Sequence, residues 1–223
     1  MRVLSLPVKV RALVLDFDST LYTNPAYASF QNDVLIERLA RERGEGFDAM
    51  KAKIGKLREK RAAAGEGATS LGNLFREFGI DIPTSVRWRE ELIDPGRWLS
   101  KDPALDAALA LLSRRFVLGL VTNNPASVGR KGLAALGVED RIACVVGLDD
   151  TGQSKPDPAP FSLVSERLGV PPEECVSIGD RYDVDLAPAL SLGMGAILVE
   201  GVEDVRTLPA YFETALPPAR PRG

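Results

Sequence analysis

Carboxylate side chains follow apolar segments of this sequence at points where they could act together. Asp16 and Asp18 stand two residues apart, directly after the apolar run 12–15, and Asp180 follows a second apolar run at 175–178. Each acid alone is a common turn residue. Together at a buried edge they would repel one another, and a hard cation with oxygen ligands would remove that cost. The pattern therefore indicates Mg²⁺, which takes few carboxylates and also binds phosphate oxygens.

A lysine and a Thr-Asn pair complete a set of groups suited to phosphoryl transfer. Thr122 and Asn123 follow the apolar run 116–121, and Lys155 stands in the segment Ser-Lys-Pro-Asp-Pro. A metal-held aspartate can attack phosphorus as a nucleophile. Asp18 could protonate the departing alkoxide and then deprotonate the attacking water. Lys155 and the Thr122 hydroxyl would neutralise charge on the phosphoryl oxygens.

The composition excludes several rival chemistries. The chain of 223 residues has no histidine, and its two cysteines, Cys144 and Cys175, stand inside short apolar runs. The lack of histidine excludes Ser-His-Asp and Cys-His catalysis and histidine-ligated zinc, and we interpret the cysteines as buried core residues. A net charge of −3 gives no basic face for a nucleic-acid polymer. With neither a signal-peptide pattern nor about 20 consecutive apolar residues, we expect a cytoplasmic protein that binds no membrane.

Strand-like and helix-like segments alternate along the chain and predict the scaffold for these groups. Further apolar runs lie at 142–146 and 196–199, and a helix is predicted from Pro103 with Asp102 as its N-cap. Strands that alternate with helices predict an α/β fold with an open, doubly wound parallel sheet. Sites in such sheets form at the carboxyl ends of the strands, which is where the acids stand.

Residues 21–95 interrupt this alternation. Helix-like segments lie near 26–43, 47–64 and 71–78, and no convincing strand separates them. Because an insertion of this length exceeds a βα loop, we predict a helical cap domain at 21–95, inserted into an α/β core domain formed by 1–20 and 96–223. The tail 216–223 is expected to be frayed.

At these residues the sequence resembles the haloacid dehalogenase (HAD) superfamily of hydrolases. Motif I of that family, Asp-x-Asp-x-Thr after an apolar strand, matches the segment from Asp16 to Thr20. Motif II matches Thr122, and motif III matches Lys155. Motif IV, Gly-Asp followed by a second aspartate, matches Gly179-Asp180 and Asp185. The four motifs stand in the family order across residues 12–199, which makes the resemblance specific.

The resemblance implies a fold and a metal site. It implies a Rossmann-like parallel sheet with the strand order 5-4-1-2-3 and an inserted C1-type helical cap. Asp16 would be the nucleophile and a Mg²⁺ ligand, and Asp18 would be the general acid and base, with its carbonyl on the metal. Asp180 would be a direct ligand, and Asp185 a ligand through water or a neighbour that orients the ligands. Asp183, in the same loop, is interpreted as an exposed or capping acid.

The resemblance also favours one activity over its alternatives. Members that displace halide lack the second acid of motif I, so Asp18 argues for phosphoryl transfer. We expect a phosphatase that hydrolyses a small phosphomonoester, a nucleotide or a sugar or organic phosphate, through an aspartyl-phosphate on Asp16. Thr122, Asn123 and Lys155 would bind this small phosphorylated metabolite, and the protein would be a monomer or homodimer. A sugar phosphomutase shares every core residue, and a non-catalytic protein that binds a phosphorylated metabolite would keep the fold.

Aromatic and basic residues of the predicted cap each have two interpretations. Tyr22, Tyr27 and Phe30 could stack on a leaving group, or they could pack the cap against the core. The basic stretch 51–61 could steer anions, although such a run is more often the solvated face of a helix.

Overall fold

A six-stranded sheet forms the centre of the molecule. The structure, a computed structural model, describes residues 1–64 and 70–216, so the predicted frayed tail lies outside the described residues apart from Leu216. The strand order is β1-β6-β5-β2-β3-β4. The strands are β1 (Arg2–Ser5), β2 (Ala12–Leu15), β3 (Val117–Val121), β4 (Cys144–Val146), β5 (Cys175–Gly179) and β6 (Gly195–Leu198).

The predicted strand order holds for the parallel part of the sheet. The strands β6-β5-β2-β3-β4 run parallel, which is the order 5-4-1-2-3 in the numbering of the predicted strands. The sheet differs from the prediction by β1, which pairs antiparallel with β6 at the edge. The residues of β1 are only half-buried or exposed. A strand of this kind lacks the continuous buried run that identified the others.

Helices cover both faces of the sheet because the central strands are apolar on both faces. Leu13 and Leu15 of β2 belong to one apolar cluster, and Ala12 and Val14 of the same strand belong to another. The first cluster is completed by α5 (Pro103–Ser113), α6 (Ala126–Leu136) and α10 (Val202–Ala215), and the second by α8 (Ala159–Leu168) and α9 (Ala187–Ser191). A short helix, α7 (Leu148–Thr151), follows β4. The architecture is the doubly wound α/β fold predicted from the sequence.

Four helices lie in the described part of the insertion that follows β2, and α5 then leads the chain back to the sheet at β3. They are α1 (Pro25–Glu42), α2 (Phe47–Ala63), α3 (Leu71–Glu77) and α4 (Ile82–Leu92). The sequence predicted the first three but missed α4. Asp81 caps α4 by accepting a hydrogen bond from the Thr84 amide at 2.9 Å, yet the buried residues of this helix include Ser85 and Arg89. Because polar residues face inward, α4 lacks the apolar stripe that reveals a helix.

The two ends of this helical insertion lie side by side. Asn24, the N-cap of α1, accepts a hydrogen bond from the Tyr27 amide at 3.0 Å and donates one to the Trp98 carbonyl at 3.1 Å. Tyr27 stacks on the Trp98 ring, with the ring centroids 5.8 Å apart. These contacts position α1 over the carboxyl end of β2. The division of the chain into a cap at 21–95 and a core stays a prediction.

Candidate active site

Three carboxylates converge at the carboxyl edge of the sheet. Asp16 follows β2 and Asp180 follows β5, and these two strands are neighbours. Oxygen atoms of Asp16, Asp180 and Asp185 all lie within 4.8 Å of one another. Asp16 and Asp185 are almost completely buried. The structure thus brings together Asp16 and Asp180, which the sequence placed at strand ends, and Asp185, which the family resemblance implied.

Lys155 lies between two of these acids. Its Nζ atom donates hydrogen bonds to Asp16 Oδ1 at 2.5 Å, to Asp185 Oδ1 at 2.7 Å and to the Val121 carbonyl at 3.0 Å. Burial alone would lower the pKa of Lys155, but the adjacent Asp16 and Asp185 outweigh it, and the pKa is raised. Lys155 is therefore a permanently charged ammonium group at the centre of the acid cluster.

The backbone of Lys155 is fixed by Asn123. The Lys155 amide donates to Asn123 Oδ1 at 2.7 Å, and Asn123 Nδ2 donates to the Lys155 carbonyl at 3.2 Å. From the sequence, Asn123 was predicted to bind the phosphate. In the structure, its side chain forms hydrogen bonds with the backbone of Lys155. Thr122 is buried at the end of β3, where its Oγ1 atom accepts from the Asn124 amide at 3.1 Å. The hydroxyl proton of Thr122 is left to donate.

The loop from Gly179 to Asp185 needs close packing to present its acids. A Cβ atom at Gly179 would lie 2.5 Å from Asp185 Cβ, so only glycine fits. Asp185 Oδ2 accepts from the Arg181 amide at 3.1 Å, and Ser177 Oγ donates to the Asp185 carbonyl at 2.8 Å. The loop continues into a π-helical turn over Tyr182–Leu186, a conformation that is frequent at functional sites. Asp183, in this turn, is exposed as expected.

Asp180 is the acid whose surroundings suit a cation most clearly. Its Oδ1 atom is buried and has no hydrogen-bond partner within the described residues. Arg181 Nε lies 3.8 Å from this atom, which is too far for a hydrogen bond. Burial raises the pKa of Asp180, and the neighbouring Asp185 raises it further. Burial also raises the pKa of Asp16, against the lowering effect of Lys155. An all-oxygen set in which one buried carboxylate oxygen has no hydrogen bond fits a hard divalent cation such as Mg²⁺.

Asp18 points away from this cluster and toward α1. Its carboxylate accepts hydrogen bonds from Tyr22 Oη at 2.6 Å, Gln31 Nε2 at 2.8 Å and Asn124 Nδ2 at 3.0 Å. Ser19, the residue after Asp18, adopts a left-handed conformation with φ of 62°. This conformation is uncommon for a residue with a side chain. The hydrogen bonds of Asp18 give it a different environment from Asp16, although only one residue lies between the two acids.

Several polar residues of the site were missed by sequence reasoning. Gln31 and Arg89 come from the inward faces of α1 and α4, Asn124 was passed over in favour of Asn123, and Arg181 follows Asp180. Gln31 donates to Asp18, and Arg89 Nη1 donates to Asn124 Oδ1 at 3.0 Å. A signal was available for Gln31, because it stands four residues after Tyr27 and four before Leu35 on the buried stripe of α1.

The aromatic residues near motif I pack rather than line an open site. Tyr22 and Tyr27 are buried, with ring centroids 5.4 Å apart, and Phe30 contacts Trp98 at 4.8 Å between centroids. None of these rings lines the cavity over the acids. The packing interpretation therefore holds for them.

The basic residues of α2 lie on an exposed surface. Lys51 pairs with Asp33 at 2.8 Å, and Lys53 pairs with Glu45 at 2.6 Å. Both lysines are exposed to solvent. These contacts agree with the solvated-face interpretation of the stretch 51–61.

A cavity of about 220 Å³ lies between the helical insertion and the sheet edge. Asp18 and Asp180 line it from the sheet, and Gln31, Ser70 and Arg89 line it from the helices. Ser70 Oγ and Ser154 Oγ share a hydrogen bond of 2.7 Å across this boundary. The cavity joins the acid cluster to polar groups that could contact the rest of a substrate.

The remaining sequence expectations concern thiols and membranes. Cys175 is buried as expected, whereas Cys144 is only half-buried. Both cysteines are free, and each stands at the amino end of its strand, at the opposite edge of the sheet from the acids. Within residues 1–64 and 70–216, no helix has the length and apolar character needed to span a bilayer.

Comparison with known proteins identifies the class that this fold and site define. Residues 10–193 match the family described as haloacid dehalogenase-like hydrolase. The chain belongs to this family. The motifs singled out from the sequence, from Asp16 to Asp185, all lie within the matched residues.

Relatives of the chain carry phosphatase names. It is 31% identical over 195 residues to a phosphoglycolate phosphatase of Rhodospirillum rubrum, a match that covers 85% of this chain and 79% of that protein. It is 28% identical to a ribulose-1,5-bisphosphate 5-phosphatase of Halopiger xanaduensis, with 86% of each chain covered. A solved HAD phosphatase from Thermococcus onnurineus superposes with a TM-score of 0.60 at 27% identity, covering 85% and 86% of the two chains. The prediction of a HAD-like phosphatase, a phosphoric monoester hydrolase, is confirmed as to enzyme class.

Proposed function

We propose that the chain is a Mg²⁺-dependent phosphatase that transfers the phosphoryl group of a small phosphomonoester to Asp16 and then to water. The observation that carries this proposal is the convergence of Asp16, Asp180 and Asp185 around Lys155, with one buried oxygen of Asp180 unpaired. Such a cluster is costly unless a cation neutralises it. In a phosphatase that uses a divalent metal, the bound cation would neutralise these acids and also take part in the reaction.

The carboxylates of Asp16, Asp180 and Asp185 and the carbonyl of Asp18 would hold the metal. Bound Mg²⁺ would supply positive charge beside the phosphoryl oxygens and the nucleophile. Lys155 would neutralise further negative charge, and Thr122 would donate its free hydroxyl proton to a phosphoryl oxygen. Asn123 would act through Lys155, whose backbone it fixes.

The chemistry would proceed in two displacements at phosphorus. In the first, an oxygen of Asp16 attacks, the bond from phosphorus to the leaving oxygen breaks, and protonated Asp18 gives its proton to that oxygen. In the second, Asp18 takes a proton from water as the water oxygen attacks phosphorus. The bond from phosphorus to Asp16 then breaks, and phosphate leaves. Asp18 returns to its protonated form, so the cycle is balanced.

The substrate is proposed to be small. The cavity of about 220 Å³ lies below the range of roughly 300–1,000 Å³ that is typical of drug-sized ligands. This favours an organic or sugar phosphate over a nucleotide, and the names of the relatives from Rhodospirillum rubrum and Halopiger xanaduensis point in the same direction.

The helical insertion is proposed to act as a cap over this substrate. It contributes Gln31, Ser70 and Arg89 to the cavity, and Ser70 contacts the core at Ser154. Closure over the leaving group would exclude water from the first displacement. A cytoplasmic location and a monomeric or homodimeric state stay predictions.

Release of p-nitrophenol from p-nitrophenyl phosphate, with and without Mg²⁺, tests the proposal. We expect turnover that EDTA abolishes, and a loss of at least about 10³-fold in kcat for Asp16→Asn, because the amide cannot act as the nucleophile. Asp183→Asn is the matched control, because this acid lies in the metal loop but is exposed. Full activity of Asp16→Asn, or turnover that ignores EDTA, would refute the proposal.

A further inference from the structure

Arg89 is a buried cation without an acidic partner. Its side chain comes from the inward face of α4, is 7% exposed, and lines the cavity over the acid cluster. No ion pair of Arg89 with a carboxylate is found within the described residues. Burial lowers the pKa of Arg89 to about 10, against the raising effect of Asp18, so the guanidinium is charged at neutral pH.

The hydrogen bonds of Arg89 leave much of its donor capacity unused. Nε donates to Ser85 Oγ at 3.4 Å, and Nη1 donates to Asn124 Oδ1 at 3.0 Å. A guanidinium has five N–H groups, so these two bonds leave three uncommitted within the described part of the chain. Nη2 has no hydrogen bond there, and Gly72, which has no side chain, lies beside it: a Cβ atom at Gly72 would lie 3.9 Å from Nη2.

A structural role alone does not account for this arrangement. A neutral donor could hold Asn124 in place, whereas an unpaired charge in a buried site carries a large desolvation cost. Both acceptors of Arg89 are neutral oxygens, and the cavity beside it is open to a ligand. A planar fork of N–H donors matches the geometry of a carboxylate or phosphate.

We propose that Arg89 selects the substrate by binding an oxyanion group, a carboxylate or a second phosphate, on the leaving group. This inference rests on the proposed phosphatase function and narrows its substrate class to phosphomonoesters with a second anionic group. The phosphoryl group would occupy the acid and Lys155 end of the cavity. The second anion would reach Arg89 at the other end of the cavity. Asp18 would lie between the phosphoryl group and the second anion.

Pairs of substrates with the same number of carbon atoms test the proposal. In the first pair, 2-phosphoglycolate is compared with 2-hydroxyethyl phosphate, in which a neutral alcohol replaces the carboxylate. In the second pair, propane-1,3-diol bisphosphate is compared with 3-hydroxypropyl phosphate. We expect the wild-type protein to prefer the anionic member of at least one pair by about 30-fold or more in kcat/KM, as for a buried charge pair. The pair that shows the preference identifies the oxyanion.

Arg89→Gln should reduce this preference at least about tenfold, and Arg89→Lys, which keeps the charge without the planar fork, should retain part of it. Arg87→Gln is the matched control, because Arg87 stands two residues away on the exposed face of α4. The ratio of the two kcat/KM values is the readout, since it cancels any general effect on Asn124 and Asp18.

Two results would overturn the role of Arg89. One is a wild-type protein without preference in either pair, a measurement that does not depend on the folding of any variant. The other is a preference that persists in Arg89→Gln, which would make Arg89 a positioning residue for Asn124. Turnover of p-nitrophenyl phosphate in the same assay separates the failures. Turnover without selectivity refutes this inference alone, and no turnover of any phosphomonoester refutes the proposed function as well.

Discussion

Both carboxylate oxygens of Asp16 are held in place. Oδ1 accepts from Lys155 Nζ at 2.5 Å, and Oδ2 accepts from Thr20 Oγ1 at 3.1 Å. Lys155 also bonds to Asp185, so one ammonium group links two buried acids. A nucleophile that is oriented before the substrate arrives needs less reorganisation in the transition state. In the proposed mechanism, Thr20 and Lys155 would serve the chemistry by fixing the direction of Asp16.

Replacing Lys155 tests this arrangement. In metal-free buffer, Lys155→Met removes the ammonium and leaves Asp16 and Asp185 buried without a cation. We expect the free energy of unfolding to fall by about 3–5 kcal/mol. Urea denaturation followed by circular dichroism measures this change. Lys53→Met provides the comparison, because Lys53 forms an exposed pair with Glu45, and such pairs contribute little. Equal stability of the two variants would contradict the account.

Residues with a motif could be predicted, and residues without one could not. Asp16, Lys155 and Asp180 stand directly beside strand ends or a recognisable segment, so spacing alone placed them at the same edge. Gln31 and Arg89 lie on inward faces of helices far away in the sequence. The buried stripe of α1 could have placed Gln31 on an inward face. The contacts of both residues, however, depend on how their helices lie over the sheet, and no local pattern contains that information.

Helix α6 packs so closely against motif I that it has room for only a glycine. A Cβ atom on Gly132 would overlap the ring of Phe17, which lies between Asp16 and Asp18. The side chain of Phe17 is itself buried in the main apolar cluster. The position of α6 and the position of the two acids are therefore linked.

A pair of glycine substitutions tests this close packing. Gly132→Ala should lower the free energy of unfolding by about 1–3 kcal/mol through overpacking, and it should reduce kcat by displacing motif I. Gly55→Ala, in the interior of α2, meets nothing within 4 Å and should raise stability by about 0.5–1 kcal/mol. Urea titration and phosphatase assay of both variants give the comparison. A Gly132→Ala protein as stable and active as the wild type would show that α6 does not constrain the motif.

The elements that the sequence missed share a physical cause. β1 is an edge strand with no fully buried residue, and α4 turns Ser85 and Arg89 inward. Hydrophobic periodicity finds elements that bury apolar side chains. β2 and β5, which are buried on both faces, were found for that reason. An element at the edge of the sheet, or one that supplies polar groups to a cavity, escapes the same criterion.

The acid cluster links the stability of the whole molecule to pH and, if the proposed metal site is correct, to Mg²⁺. The pKa values of Asp16 and Asp180 are raised by burial above their ordinary value of 3.8. Protons therefore stay bound to the folded protein at a pH where the unfolded chain has lost them. This contribution to stability is present at low pH and is lost as the pH rises through the raised values. A cation that needs ionised carboxylates gains affinity over the same range.

The increase in Tm caused by 10 mM Mg²⁺ should therefore be larger at pH 8 than at pH 5.5. Differential scanning fluorimetry at both pH values measures it, since a ligand of the folded state raises Tm. Asp180→Asn should lose most of the effect because it removes the negative charge of this carboxylate, while Asp183→Asn should keep it. An increase that does not depend on pH, or one that survives in Asp180→Asn, would argue against a metal site at these acids.

Trapping the covalent intermediate tests the central claim most directly. The wild-type protein is mixed with a ³²P-labelled phosphomonoester and Mg²⁺, quenched in acid within the first turnover and digested for peptide mapping. The account predicts label on the peptide that contains Asp16, lost on treatment with hydroxylamine, as expected for an acyl phosphate, and absent from Asp16→Asn. Label on another residue, or turnover retained by Asp16→Asn, would contradict it.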